Sequence, residues 1–427
     1  MKVSRSFKIA LGLATPLAVV CALVIPSAVS SASSSWGHPH TVFVSKFANS
    51  SNRDRSCNSA KFKTIQSAVN ASSSFGKVVV CRGVYHEQVV VRKPLTLRGI
   101  HATVDMQGVT PTLVVNVPHV GSLKIFAAVV LLSSKVEVAG FKIRNADGEG
   151  ILAAGITSGI KDISIVHNAV VHNDLGGGVP PASDYFECQP QGQVPGDCGE
   201  GVHFINVAWS KITDNFIQNN SGGVLLTDET GPTHNNLIAN NVVTGNASDC
   251  GITVPGHNPN ALNAAGKPQP QVAGVYSNVI RNNIVTDNGL KGEGAGVLFA
   301  NAQAGTASYN NLVEGNYIAG NELAGVTMHA HTLGPGQFED LNGNTVINNV
   351  IGKNNIGGDP LDAPAPPEDL KTTGVLVFSG GIPVTTRIAH NTIFDNKIGI
   401  WLSKVVMATG LRTNHFFQVR RPISKNN

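Results

Sequence analysis

Between Ile165 and Asn396 one spacing returns seven times: an aliphatic residue, an Asn three positions later, a second aliphatic residue two beyond that, and another Asn three further on. The first copy is Ile165/Asn168/Val170/Asn173 and the last is Ile388/Asn391/Ile393/Asn396, with copies starting at Ile212, Ile238, Ile280, Val313 and Val346 between them. Neither Asn is replaced in any copy. A period of this kind describes stacked supersecondary units, each closing its neighbour's apolar face. Asn at a fixed register suits tight turns: it tolerates left-handed backbone, and its amide can bond to its counterpart in the next unit.

A second column runs between these segments, at Gly201, Gly223, Gly251, Gly296, Gly325, Gly374 and Gly399. The positions one and three residues after each glycine are always apolar, from Val202 and Phe204 to Ile400 and Leu402, while the residue between them ranges from His203 to Thr327 to Trp401. Alternation of this period is a strand facing a filled core. Each unit therefore holds this strand plus two flanking the middle Asn. The fold class is all-β, a parallel β-helix of three-strand coils.

Upstream, the segment AKFKTIQSAVNA places Phe62, Ile65, Ala68 and Val69 at helical intervals, and short strands follow at Lys77–Cys81, Gly83–Tyr85, Gln88–Val91 and Leu95–Gly99. This opening resembles that of the pectin-lyase-like superfamily of right-handed parallel β-helices. The resemblance implies that the helix, at about 60–71, is an N-terminal cap. Regular coils are expected from about 78 to 404, with a C-terminal tail at 405–427.

Basic Lys2, Arg5 and Lys8, an apolar run from Ile9 to Ile25 and small residues from Ser27 to Ala32 have the order of a secretory signal peptide. Residues 1–32 are read as that signal and 33–427 as one secreted, extracellular domain. No later stretch is apolar and long enough to span a bilayer. Without Cys21, five cysteines remain; Cys57 with Cys81 and Cys188 with Cys198 are the pairs suggested by proximity, leaving Cys250. Charged residues are 14% of the chain and the net charge is +4, which gives no basic surface for nucleic acid. The expected partner is a polysaccharide or oligosaccharide, bound by a monomer.

The long connections, Asn173 to Gly201, Asn354 to Gly374 and Gly251 to Asn278, all border the glycine strands, whereas the Asn-marked turns never lengthen. Loops on a rigid scaffold carry function, so the glycine strands are expected to floor a groove. Counting outward from each glycine gives His329 at four residues, Asn206, Asp228 and Asn301 at five, and Glu229, His257 and His331 at six. Coils stack at about 4.8 Å, which puts Glu229 and His257 within reach of each other.

A carboxylate beside an imidazole is the equipment of proton transfer near neutral pH. Glu229, His257, Asp228 and Asp249 are the catalytic candidates, and His203, Asn206, Asn301, His329 and His331 the substrate-binding ones. Elimination from a uronic acid needs a base and a neutralised carboxylate, for which Ca²⁺ is one candidate; hydrolysis needs two carboxyls flanking the bond. The basic residue of pectate lyases and the motifs of polygalacturonases are missing. The leading reading is a carbohydrate-active β-helix that cleaves, as lyase or hydrolase, or epimerises a polysaccharide. A non-catalytic binding solenoid is the first alternative. A metal-associated accessory protein, similar to the copper-linked β-helix partner of nitrous oxide reductase with His257, His329 and His331 as ligands, is the second.

Overall fold

A computed structural model describes residues 40–48, 54–118, 121–173, 199–301, 303–331, 336–359 and 367–426. The expected signal at 1–32 and the expected Cys188–Cys198 pair lie outside them. The described chain winds into parallel coils. An 11-stranded parallel sheet runs from Val89–Val91 through Val202–Ile205, Val224–Thr227, Ile252–Gly256, Val297–Asn301, Val326–Ala330, Thr373–Ser379 and Ile398–Leu402 to Arg421–Lys425. The residues after the seven glycines are in direct register: Val202 with Val224, then Ile252, Val297, Val326, Val375 and Ile400. A 21-stranded sheet carries the Asn-flanking strands and a five-stranded sheet of two-residue strands closes the remaining corner. Their inward residues form one continuous core from Val42 to Val406.

The Asn columns are hydrogen-bonded ladders. The Nδ2 of Asn168 donates to Asn215 Oδ1 at 3.1 Å, Asn215 to Asn241 at 3.0 Å, and the chain continues through Asn283, Asn316 and Asn349 to Asn391. The second column runs likewise from Asn173 to Asn354. A third ladder, Asn236–Asn278–Asn311–Asn344 at 3.0–3.1 Å, is not part of the sequence template. The left-handed backbone is not at the ladder Asn, as expected, but one residue earlier: His167, Asp214, Asn240, Asn282, Gly315, Asn348 and His390 have φ of 55–66°. The ladder Asn is buried and committed to its neighbours, and the preceding residue takes the turn.

Asn283 shows what a ladder residue does: its amide donates to Asn316 Oδ1 and Ile238 O, while its own oxygen accepts from the backbone and side chain of Asn241. Asn283→Ala leaves buried donors and acceptors on both neighbouring coils, and is expected to cost about 3 kcal/mol in urea or guanidinium unfolding.

Two boundaries differ from expectation. The helix is Ile65–Ala71, shorter at its start than the predicted segment, because Phe62 pairs with Val44 as an extended bridge and Thr64 takes the N-cap. The Glu87 carboxylate accepts from the backbone of Ile65 and Gln66, and Ile65, Ala68 and Val69 are buried. The expected tail at 405–427 contains a further coil: Ile423 pairs with Ile400, and Asn414 extends the first ladder from Asn391 at 2.9 Å. Leu411/Asn414/Phe416 fits the template except that Phe replaces an aliphatic residue and no second Asn follows. Cys57 and Cys81 form a disulfide, and Cys250 is a buried free thiol.

Candidate functional site

Asp228 and Glu229 lie in the turn that ends Val224–Thr227, and His257 immediately follows Ile252–Gly256 in the adjoining coil. Because Val224 and Ile252 are in register, the two strand ends deliver Glu229 and His257 side by side. His257 Nδ1 is 2.7 Å from Glu229 Oε1, with the His side chain 4% and the Glu side chain 19% exposed. Burial raises the Glu229 carboxyl, but the bond to His257, the His257 and His203 charges and the Thr227 hydroxyl together bring it below its ordinary value.

That depression has a sign. A carboxylate with a lowered folded-state pKa contributes stability above its unfolded value of 4.5, which is lost as pH falls through the folded value. The stability gap between the native chain and Glu229→Gln is therefore expected to be widest at neutral pH and to close below about pH 4.5 in melts recorded across pH. A gap that does not change with pH would remove the ionised Glu229 from the picture.

Asp228 is fully buried and turned into the scaffold. Its Oδ1 accepts from the backbone N–H of His257 at 2.7 Å and Asn258 at 3.1 Å, and its Oδ2 from Gly274 N–H at 2.7 Å. Burial pushes its carboxyl up to about 7, with the nearby Glu229 charge adding to the rise and the N–H donors of His257 and Asn258 opposing it. Asp228 thus anchors the loop from 257 to 274. Asp249 is also buried, takes a long bond from Thr253 at 3.4 Å, and is pushed up to about 6 by burial.

The other expected site residues divide. His203 is buried, with Nδ1 3.1 Å from Glu149 Oε1 and Nε2 2.9 Å from Thr227 Oγ1, so Thr227 links it to the Glu229 corner. Burial lowers its pKa to about 4. Asn206 is a left-handed turn residue whose amide bridges Gly155 O and Thr230 O. Asn301 is fully buried, and its side-chain amide makes no hydrogen bond among the described residues. His329 Nε2 is 3.1 Å from Asp359 Oδ2 and His331 Nδ1–H donates to Asn301 O at 2.8 Å, the two imidazole rings lying 5.5 Å apart. The structure does not gather His257, His329 and His331 into a ligand set. Among the described residues the grouping tight enough for a metal is Glu149, Glu200 and His203.

The glycine sheet is not the open floor that the loop lengths suggested. Its outward residues His203, Leu225, Thr253, Thr327, Leu376 and Trp401 are buried. A hairpin of Val114–Val117 and Gly121–Lys124 covers Val130, Leu152 and Ile205, and Leu370 packs on Leu376 and Trp401. Apolar residues arriving from distant segments make that lid, so spacing within the repeat carried no sign of it.

Sequence reasoning also missed an aromatic row on the five-stranded sheet, beside the Glu229 turn. His234 stacks on Tyr276 at 4.8 Å and Tyr276 on Tyr309 at 5.0 Å; Trp209, 61% exposed, meets the His234 ring edge-on at 6.3 Å. The signal was present: His234, Tyr276 and Tyr309 each stand two residues before an Asn of the third ladder.

Stacked parallel coils with buried Asn ladders and corner turns carrying polar side chains define a class, the right-handed parallel β-helices of the pectin-lyase-like superfamily. Within it, the chain belongs to the family described as "Protein of unknown function (DUF1565)", matched over residues 49–263. Residues 187–360 are similar to the family "Periplasmic copper-binding protein (NosD)". No curated protein matches the chain. Among solved structures, a GH136 lacto-N-biosidase from Eubacterium ramulus is similar at 13% identity and TM-score 0.51, over 91% of this chain and 68% of that one. The pectate lyase Pel9A is similar at 13% identity and TM-score 0.47, over 88% and 78%. The Dettilon tailspike protein (gp208) is similar at 15% identity and TM-score 0.49, over 80% of this chain and 62% of that chain's length. At these identities the likeness is one of fold.

Proposed function

We propose that this protein binds an extended polysaccharide along the corner formed by the Glu229 turn and the Trp209–His234–Tyr276 row, and that Glu229 and His257 carry out proton transfer on it. The reading is carried by the 2.7 Å contact between His257 Nδ1 and Glu229 Oε1. An ionised Glu229 can only accept, so Nδ1 carries the hydrogen. This fixes the tautomer and makes Nε2 the basic nitrogen.

The arrangement favours proton abstraction at a carbon beside a carboxylate, as in elimination or epimerisation of a uronic acid, over hydrolysis. Hydrolysis needs two carboxyls facing the bond. Asp228 is consumed by three backbone donors and Asp249 is buried, which leaves Glu229 without a second carboxyl to work with. The flat rings of the aromatic row supply contact area at low conformational cost.

The test is a panel of acidic and neutral polysaccharides given to the mature chain, following unsaturated ends by ultraviolet absorbance, reducing ends, and exchange of the sugar C5 proton with deuterated solvent. New absorbance or exchange that disappears in His257→Ala supports the reading. Silence in all three across the panel overturns it. Trp209→Ala is expected to weaken glycan binding about tenfold while leaving turnover at saturation unchanged.

A further inference from the structure

Glu149 and Glu200 occupy the same register in neighbouring coils. Each stands just before a strand-opening glycine, in Gly148-Glu149-Gly150-Ile151 and Gly199-Glu200-Gly201-Val202, and Ile151 pairs directly with Val202. Gly150 N–H donates to Glu200 O at 2.9 Å across the same step. Both side chains are fully buried. Two carboxylates stacked one coil apart in a dry interior repel each other unless positive charge sits between them.

His203, three residues beyond Glu200, joins them: one ligand atom from each of the three residues lies within 4.8 Å of the other two. His203 Nε2 lies 2.9 Å from Thr227 Oγ1 and Nδ1 lies 3.1 Å from Glu149 Oε1. With Nε2–H donated to the hydroxyl oxygen, Nδ1 turns its lone pair toward the carboxylates, which is the tautomer that a cation bound among them requires. An imidazole whose outer N–H is held by a hydroxyl, with the other nitrogen turned toward carboxylates, has the outer-shell arrangement of a metal ligand.

We infer that Glu149, Glu200 and His203 are the protein ligands of a divalent first-row transition ion. One imidazole and two carboxylates suit Zn²⁺ or Mn²⁺; the set has no thiolate or thioether for Cu⁺. The site is separate from the Glu229–His257 pair and is joined to it through Thr227. It goes beyond the polysaccharide reading and stands or falls without it.

The experiment uses the untagged mature chain with Zn²⁺ as the probe. After Zn²⁺ loading and gel filtration, mass spectrometry is expected to find about one ion per chain, and a chelator is expected to lower the melting temperature by several degrees. Glu200→Gln and Glu149→Gln should lose the ion and the chelator effect, whereas His331→Ala should keep both. Co²⁺ loaded in place of Zn²⁺ should give visible absorption bands that are absent in Glu200→Gln. If the carboxylate variants do not fold, the chelator and Co²⁺ measurements on the native chain decide alone. A native chain that retains no ion and melts at the same temperature with Zn²⁺, with chelator and with neither would show that a shared proton fills the gap, and would overturn the inference. Retention of the ion by the folded Glu200→Gln chain would overturn it equally.

Discussion

On a polysaccharide that the native chain turns over, Glu229→Gln is expected to lower kcat by about 10²–10⁴-fold with little change in KM. Gln keeps an oxygen at the Oε1 position, so the His257 Nδ1–H still has an acceptor and the ring keeps its place. The negative charge is what disappears. A neutral amide neither raises the basicity of Nε2 nor stabilises the imidazolium that forms once the ring has taken a proton. Because the native carboxyl sits below its ordinary range, it is the ionised form of Glu229 that the substitution removes. A variant that loses only KM would make Glu229 a substrate contact; a variant with native kcat would sink the acid/base pair. His257→Ala removes the base itself and should fall at least as far.

The second large effect belongs to Asp228, and it should appear in stability. Asp228→Ala leaves the backbone N–H groups of His257, Asn258 and Gly274 without their acceptor in a buried setting. Each unsatisfied donor costs about 1–3 kcal/mol, so a loss of about 3 kcal/mol or more is expected in chemical denaturation. Those three amides should also become the fastest-gaining sites in hydrogen exchange, because their anchoring carboxylate is what ties the loop from 257 to 274 to the preceding coil. Activity would fall with them, since His257 leaves the position that faces Glu229. If Asp228→Ala unfolds like the native chain and loses only activity, Asp228 is a chemical group and not an anchor. That outcome would restore the role its place in the sequence first suggested.

The coils were legible because their cause is local and repeated. Val202, Val224, Ile252 and their successors fall in register as counted from the glycines, and the template Asn residues bond to their copies as their chemistry requires. The Glu229–His257 contact was legible for the same reason, since two residues at one register in adjoining coils are neighbours by construction. The last coil was missed because Phe416 and Val419 stand where the template held an aliphatic residue and an Asn. Glu149 and Glu200 were missed although the Gly-Glu-Gly repeat displays them, because the count ran forward from each glycine and never one residue back.

By itself the sequence determined the coil: which residues face inward, where the chain turns, and which polar groups share a register. It could do so because those properties are set within one period and copied to the next. Only the tertiary structure decided what covers the glycine sheet, which carboxylates face a partner and which are spent on backbone donors. The lid comes from Val115, Leu123 and Leu370, and the donors of Asp228 from Gly274, residues whose sequence distance from their contacts no repeat can encode.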